Sequence, residues 1–283
     1  MEKLTVTKSN ELIENFIFNA TEMELQILNY AVSKLNPRWD NNGIVIRLNI
    51  PELVKTFKTN SKRAYEHYRN ALKRLMRREY SYFDDNNKRH DENLVIRTTR
   101  HVIDKSWLEF KFNEYISKRL SELTTFFTSY NIRQIAMFKS RYAFILYDFF
   151  IMKLNHSVEN CYAQKISVGL FKKNLDISKK YARFNQLREY VLEVARTNIN
   201  KHSDINLDYQ VIKTGRTPTH IKFTAKYKKK AQPKELETKT SKPVEHQTKL
   251  ALDSESTTAN VGFTEKHKAT SKPHLDNLKQ KWT

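Results

Sequence analysis

Arg183 and Gln186 stand three residues apart near the start of a helical run, Tyr181–Ile199, within a longer helical stretch Ser178–Ile199. Arg and Gln can each bond two base-edge atoms at once, Arg to guanine and Gln to adenine. The N-terminal end of a helix is also the end that usually enters a groove. Lys179 and Lys180 precede the pair, and Arg188 lies at the margin of the same face, which Tyr190 and Glu193 continue. Glu189 and Glu193 interrupt the positive charge; either could accept from cytosine or reject a wrong base. A second basic set falls on Ser61–Glu79, where steps of four and three align Lys62, Glu66, Arg69, Lys73 and Arg77, with Arg63 and Arg74 alongside. One acid among these seven residues suits phosphate binding. Solvated helix faces are often charged as well, so the weight rests on what surrounds each helix.

Each run is followed by two strand-like segments. Ile205–Lys213 and Thr219–Tyr227 flank the turn Thr214-Gly215-Arg216-Thr217-Pro218, which puts Lys213, Arg216 and Lys222 around a glycine suited to a tight hairpin. In the first half, Leu94–Val102 and Trp107–Phe112 play this part, after a polar loop at Asp84–Glu92. Upstream the order also repeats. Thr21-Glu22-Met23-Glu24 reads as a capping box opening a helix with Leu25, Leu28, Val32 and Leu35 inward and Pro37 at its stop. Alternating Ile44, Ile46, Leu48 and Ile50 form a strand, and Pro51 starts a small helix. The second half offers an apolar helix Ser140–Leu154, a strand Lys165–Val168 and a small helix Gly169–Leu175. A helix followed by a hairpin is the winged-helix arrangement. The predicted fold is α+β, with two tandem winged-helix domains at 1–125 and 126–230 and a disordered polar tail at 231–283. The tail holds 9 Lys and no Arg against 7 Asp and Glu, with few aromatics, and cannot offset its ordering entropy by burial.

Formal charge is +20, and all but +2 of it falls on residues 1–230. A folded body with that excess is expected to meet a polyanion, double-stranded DNA above all. Only 4 Gly occur, at 43, 169, 215 and 262, so neither G-x-x-x-x-G-K nor G-x-G-x-x-G can be assembled. The 9 His never form His-x-His, and Asp84-Asp85 has no third carboxylate nearby, which argues against a metal-dependent nicking enzyme. Tyr65 and Tyr68 could suggest a nucleophile pair, but Tyr68 falls on the apolar stripe. The expectation is a protein without enzymatic activity, cofactor or metal. Cys161 is alone, the start carries no signal-type apolar core, and no run is long enough to span a bilayer, so a cytoplasmic location off the membrane is expected.

Tyr181-Ala182-Arg183-Phe184, Leu192, Asn198-Ile199-Asn200-Lys201, Ile205, Gly215-Arg216 and Thr219-His220-Ile221-Lys222-Phe223 resemble the second winged-helix domain of iteron-binding plasmid initiator proteins. Leu25–Lys34 and Ser140-Arg141-Tyr142-Ala143 with Leu146-Tyr147 are similar too, so the resemblance covers roughly residues 5–228. It implies monomers bound to tandem direct repeats at a plasmid origin, melting of adjacent A·T-rich DNA, and recruitment of the host initiator ATPase and replicative helicase. It also implies a homodimer that represses its own gene. The family's DNA-reading basic residues fall on Arg183 and Arg188, while Glu189 stands where relatives often carry another basic residue. The nicking enzyme is the alternative from another class, and a chromosomal transcription regulator with two winged helices is a second one; a ligand-free repressor would look much the same in sequence.

Overall fold

The computed structural model describes residues 4–15, 20–36, 43–60, 62–83, 86–101, 103–120, 126–157 and 159–228; the tail read at 231–283 lies outside them. The chain begins with strand β1 (Thr5–Ser9) and a short helix α1 (Asn10–Asn15). Helix α2 (Glu22–Lys34) follows with the capping box its sequence predicts. Thr21 Oγ1 accepts from the Glu24 amide at 3.4 Å, and Glu24 Oε2 accepts from the Thr21 amide at 3.0 Å. Strand β2 (Val45–Asn49) buries Ile46 and Leu48 as expected, but Ile44 stays exposed ahead of it and Ile50 already belongs to the next helix. Asn49 then caps α3 (Ile50–Phe57), with Pro51 in its first turn.

Helix α4 (Ala64–Leu75) is shorter than the Ser61–Glu79 expected. Arg63 is left-handed, with φ 65, and Lys62 donates its amide to Asn60 Oδ1 at 3.0 Å, so a turn occupies what had been assigned to helix. The end of the polar stretch expected to be a loop is a strand instead, β4 (Arg89–Asn93), paired with β3 (Glu79–Phe83); Asp84 and Asp85 lie outside the described residues. Strands β5 (Val95–Arg100) and β6 (Trp107–Phe112) complete the unit, with sheet order β2-β6-β5. Next come α5 (Glu114–Arg119), β7 (Phe127–Asn131) and a 3-10 turn, Ile132–Gln134.

Helix α6 (Arg141–Asn155) is capped by Ser140 and buries ten residues around its whole circumference. A helix apolar on every side must lie inside the protein. It packs on α1 and α2 from the first half and on β7 and β8 (Cys161–Ser167) from the second. Helix α7 (Val168–Asn174) follows. The next helix, α8 over 184–202, is α-helical at Phe184–Leu187, π-helical at Arg188–Glu193 and α-helical again at Val194–His202. It begins six residues later than the Ser178 expected. Asp176 and Tyr181 are both left-handed, at φ 52 and 53, and a helix cannot propagate through them. Strands β9 (Ile205–Thr214) and β10 (Thr217–Tyr227) close the second sheet in the order β8-β10-β9.

The two sheets are wound identically. In each, the strand before the helix pair bonds the last strand, which bonds the one between. Helix α6 also packs on α8 and β10, so one continuous core runs from Val6 to Ala225. Strand β1 pairs with β7, Val6 opposite Tyr130, across the 125/126 division drawn from sequence. Polar links reinforce the junction. Tyr147 on α6 donates to Asp204 at 2.8 Å, and Lys139 joins both halves, its amide to Asn198 Oδ1 at 2.8 Å and its Nζ to the Phe57 carbonyl at 3.4 Å.

Candidate nucleic-acid interface

Five of the six basic side chains expected in the first module are exposed; Arg69 is half-buried. Only Arg69, Lys73 and Arg74 stand on α4 itself. Lys62 and Arg63 lie in the turn before it, and Arg77 in the turn after it. Their roles also separate. Lys73 and Arg77 reach solvent, whereas Arg69 is held by Glu66 at 2.9 Å. Arg74 binds Glu24 at 2.7 Å, and Arg78 binds the other oxygen of the same carboxylate at 2.7 Å. Glu24 is fully buried, so its charge needs these partners. One carboxylate therefore caps α2 and ties it to the end of α4. Sequence reasoning took Arg74 as a DNA contact only; its Nε is also a strut, visible once α2 and α4 are adjacent.

In the second module α8 turns an apolar stripe inward: Leu187, Val191, Leu192, Ala195 and Ile199 are buried. Phe184 and Val194 are half-buried. Lys179, Lys180, Arg183, Gln186 and Arg188 are all exposed. Arg183 sits at the N-cap rather than a turn inside the helix. Gln186 Oε1 accepts from the Arg183 amide at 3.4 Å, half of a capping box; Arg has no acceptor to offer in return. Arg183 thus projects from the mouth of the helix, where the first amides still point outward.

Glu193 leaves the exposed face. It accepts from Tyr209 at 2.6 Å and pairs with Arg196 at 2.8 Å, tying α8 to β9. The Tyr209 hydrogen bond, helped by Arg196, holds its carboxyl below the ordinary range. The base-reading role allowed for Glu193 in the sequence is therefore occupied by a structural one. Glu189 stays exposed beside Arg188.

The wing is a two-residue hairpin. Thr214 faces Thr217, with Gly215 at φ 60 and exposed Arg216 beyond it. Gly at the first central position is the requirement of a II′ turn, whose twist matches the strands. Lys213 is exposed near the tip, and Lys222 stands in the ladder opposite Lys165 of β8. Lys165, exposed in the same row, was missed because strand register alone brings it beside Lys222. The first module's wing likewise exposes Arg97, Arg100 and Lys105, which become visible once β5 and β6 are recognised as counterparts of β9 and β10.

Comparison with known families settles the class of this architecture. Residues 5–151 match the family model described as "Initiator Replication protein, WH1", and residues 167–225 match "Initiator Rep protein, WH2". The chain belongs to the initiator replication protein family. A curated "Replication initiation protein" from Escherichia coli is 24% identical over 211 residues, covering 73% of this chain. The chain spans 65% of that relative's length. Among solved structures, the "Crystal structure of Pi initiator protein in complex with iteron DNA" superposes with a TM-score of 0.68 at 20% identity, covering 81% of this chain and 99% of that one. The fold of two linked winged helices is thus shared with that initiator, and the first family match runs through β7 to residue 151, within α6.

Proposed function

We propose that this protein initiates plasmid replication by binding direct repeats in duplex DNA at the origin. The carrying observation is that two identically wound modules share helix α6 as a buried spine, so two basic surfaces are offered at a fixed spacing. Linked binders of this kind dock their second module at high effective concentration. The shared fold with an initiator crystallised on iteron DNA supports the reading. Exposed Arg183 and Gln186 supply base contacts, and the remaining lysines and arginines of both modules supply phosphate contacts.

Initiation of this kind needs no bond-making by the protein. Copies bound side by side store bending and unwinding strain in the origin, which melts the A·T-rich flank. The opened origin then receives the host initiator ATPase and helicase, and a homodimeric form represses the protein's own gene in the cytoplasm. Burial of Tyr68 supports a non-enzymatic role. Its hydroxyl donates to Gln26 at 2.9 Å, and burial pushes its pKa up to about 12, which disfavours the phenolate a nicking reaction would need.

Nuclease footprinting on DNA flanking the gene tests the proposal. Evenly spaced protected blocks are expected, one per repeat. Equal affinity for those repeats and for scrambled duplex at physiological salt would overturn it. A nicked product covalently joined to tyrosine, formed on supercoiled origin DNA with Mg²⁺, would overturn the absence of chemistry.

A further inference from the structure

The exposed face of α8 carries one large apolar group that the basic residues do not explain. Tyr190 is 52% exposed, although Tyr on a helix with a buried stripe available has every reason to turn inward. It stands four residues after Gln186 and thus on the face that Gln186 shares with Arg183. Its ring stacks on Tyr181, with centroids 6.2 Å apart and planes 26° from parallel. Tyr181 is itself anchored: its hydroxyl lies 3.1 Å from that of Tyr142 on α6, and its carbonyl accepts from Lys172 at 3.3 Å.

Two local distortions build this arrangement. Tyr181 takes a left-handed backbone that a bulky residue rarely adopts. The helix widens to π form over Arg188–Glu193, with Tyr190 inside that stretch. Backbone departures of both kinds concentrate at functional sites, because folding alone gains nothing from them. Here they flank Arg183 and Gln186 and hold an aromatic pair outward beside them.

Resting on the function proposed above, we infer that Tyr190, buttressed by Tyr181, is a specificity-determining residue that reads thymine through its 5-methyl group. In the major groove the methyl is the one apolar feature of a base edge, and an apolar surface next to hydrogen-bonding side chains is what recognises it. Arg183 and Gln186 sort bases by donors and acceptors; the ring adds discrimination that neither can make. Tyr181 is the positioning residue, since its ring meets Tyr190 and is fixed to the core helix.

The test uses the full chain and the repeat duplex located by footprinting, with each thymine replaced in turn by deoxyuridine. At one position the wild-type protein should lose about four-fold in affinity, the value of one buried methyl group. Tyr190→Phe should lose the same factor, because the ring is kept. Tyr190→Ala should bind uridine and thymine duplexes equally at that position, and the exposed site makes this variant safe for folding. If no position shows a loss that depends on residue 190 while the protein still prefers its repeat, the inference falls and the proposed function stands. If the wild-type protein shows no preference for the repeat at all, both fall together.

Discussion

Replacing Glu24 by Gln removes the charge at the point where α2 and α4 meet. The carboxylate is fully buried, and it holds Arg74 and Arg78 at 2.7 Å each and the Thr21 amide at 3.0 Å. Gln keeps one acceptor for the cap but turns an NH₂ group toward one guanidinium, so that a cation loses its counter-charge. Breaking a buried ion pair costs about 3–5 kcal/mol. Arg74 is 47% exposed and can turn to water, which places the cost at the low end, about 3 kcal/mol. For a folded body of this size that is a fall in Tm of roughly 6–12 °C. Thermal melting followed by far-UV circular dichroism measures it directly. Thr21→Ala serves as the comparison: it removes the cap and a long 3.4 Å bond from Arg74 but leaves both ion pairs of Glu24, and should cost about 1 kcal/mol. Because Arg74 is no longer fixed against α2, DNA affinity should change together with stability. A fall in Tm below 2 °C for Glu24→Gln, or one no larger than that of Thr21→Ala, would refute the strut.

Other expectations concern the DNA surface and its support. Arg183→Ala should cost about 1–3 kcal/mol at one cognate base pair and loosen preference there, measured by binding to single-position variants of the repeat. An equal loss on specific and random duplex would make it a phosphate contact only. Lys73→Ala should weaken binding to all sequences and make the salt slope shallower by about one unit; an unchanged slope would take α4 off the DNA. Glu193 has a folded pKa below its ordinary 4.5, so its contribution to stability is complete above that value and is lost as pH falls through the folded pKa. Urea unfolding between pH 6 and pH 3 should therefore show a steeper loss for wild type than for Glu193→Gln. Parallel curves would remove Glu193 from the link between α8 and β9.

Much of the fold was legible because local chemistry specified it. The capping box at Thr21, the alternation at Ile46 and Leu48, and Gly215 in the wing each depend on neighbours within a few residues. The basic set was legible for the same reason, since charges on an exposed face need no partner to be recognised. Helix ends were less so: Arg63 and Tyr181 adopt left-handed backbones that composition does not announce. Strands β3 and β4 escaped notice because Arg89–Asn93 is polar on both faces and is held by its ladder rather than by a buried stripe.

The sequence by itself determined the class of surface this protein presents: two helix-and-hairpin units, strongly positive, with Arg183 and Gln186 exposed at the start of the second unit's long helix. Periodicity and charge are properties of short windows, and they survive without knowledge of the rest of the chain. Tertiary structure alone decided which of those side chains are tied to partners within the protein. It sent Glu193 to Tyr209, Arg74 to Glu24, and Tyr190 outward onto Tyr181. It also joined β1 to β7 and made α6 the spine of both units. Those outcomes depend on groups brought together from distant parts of the chain or across a backbone distortion, and a buried charge or an exposed ring has no local signature until its partners are in place.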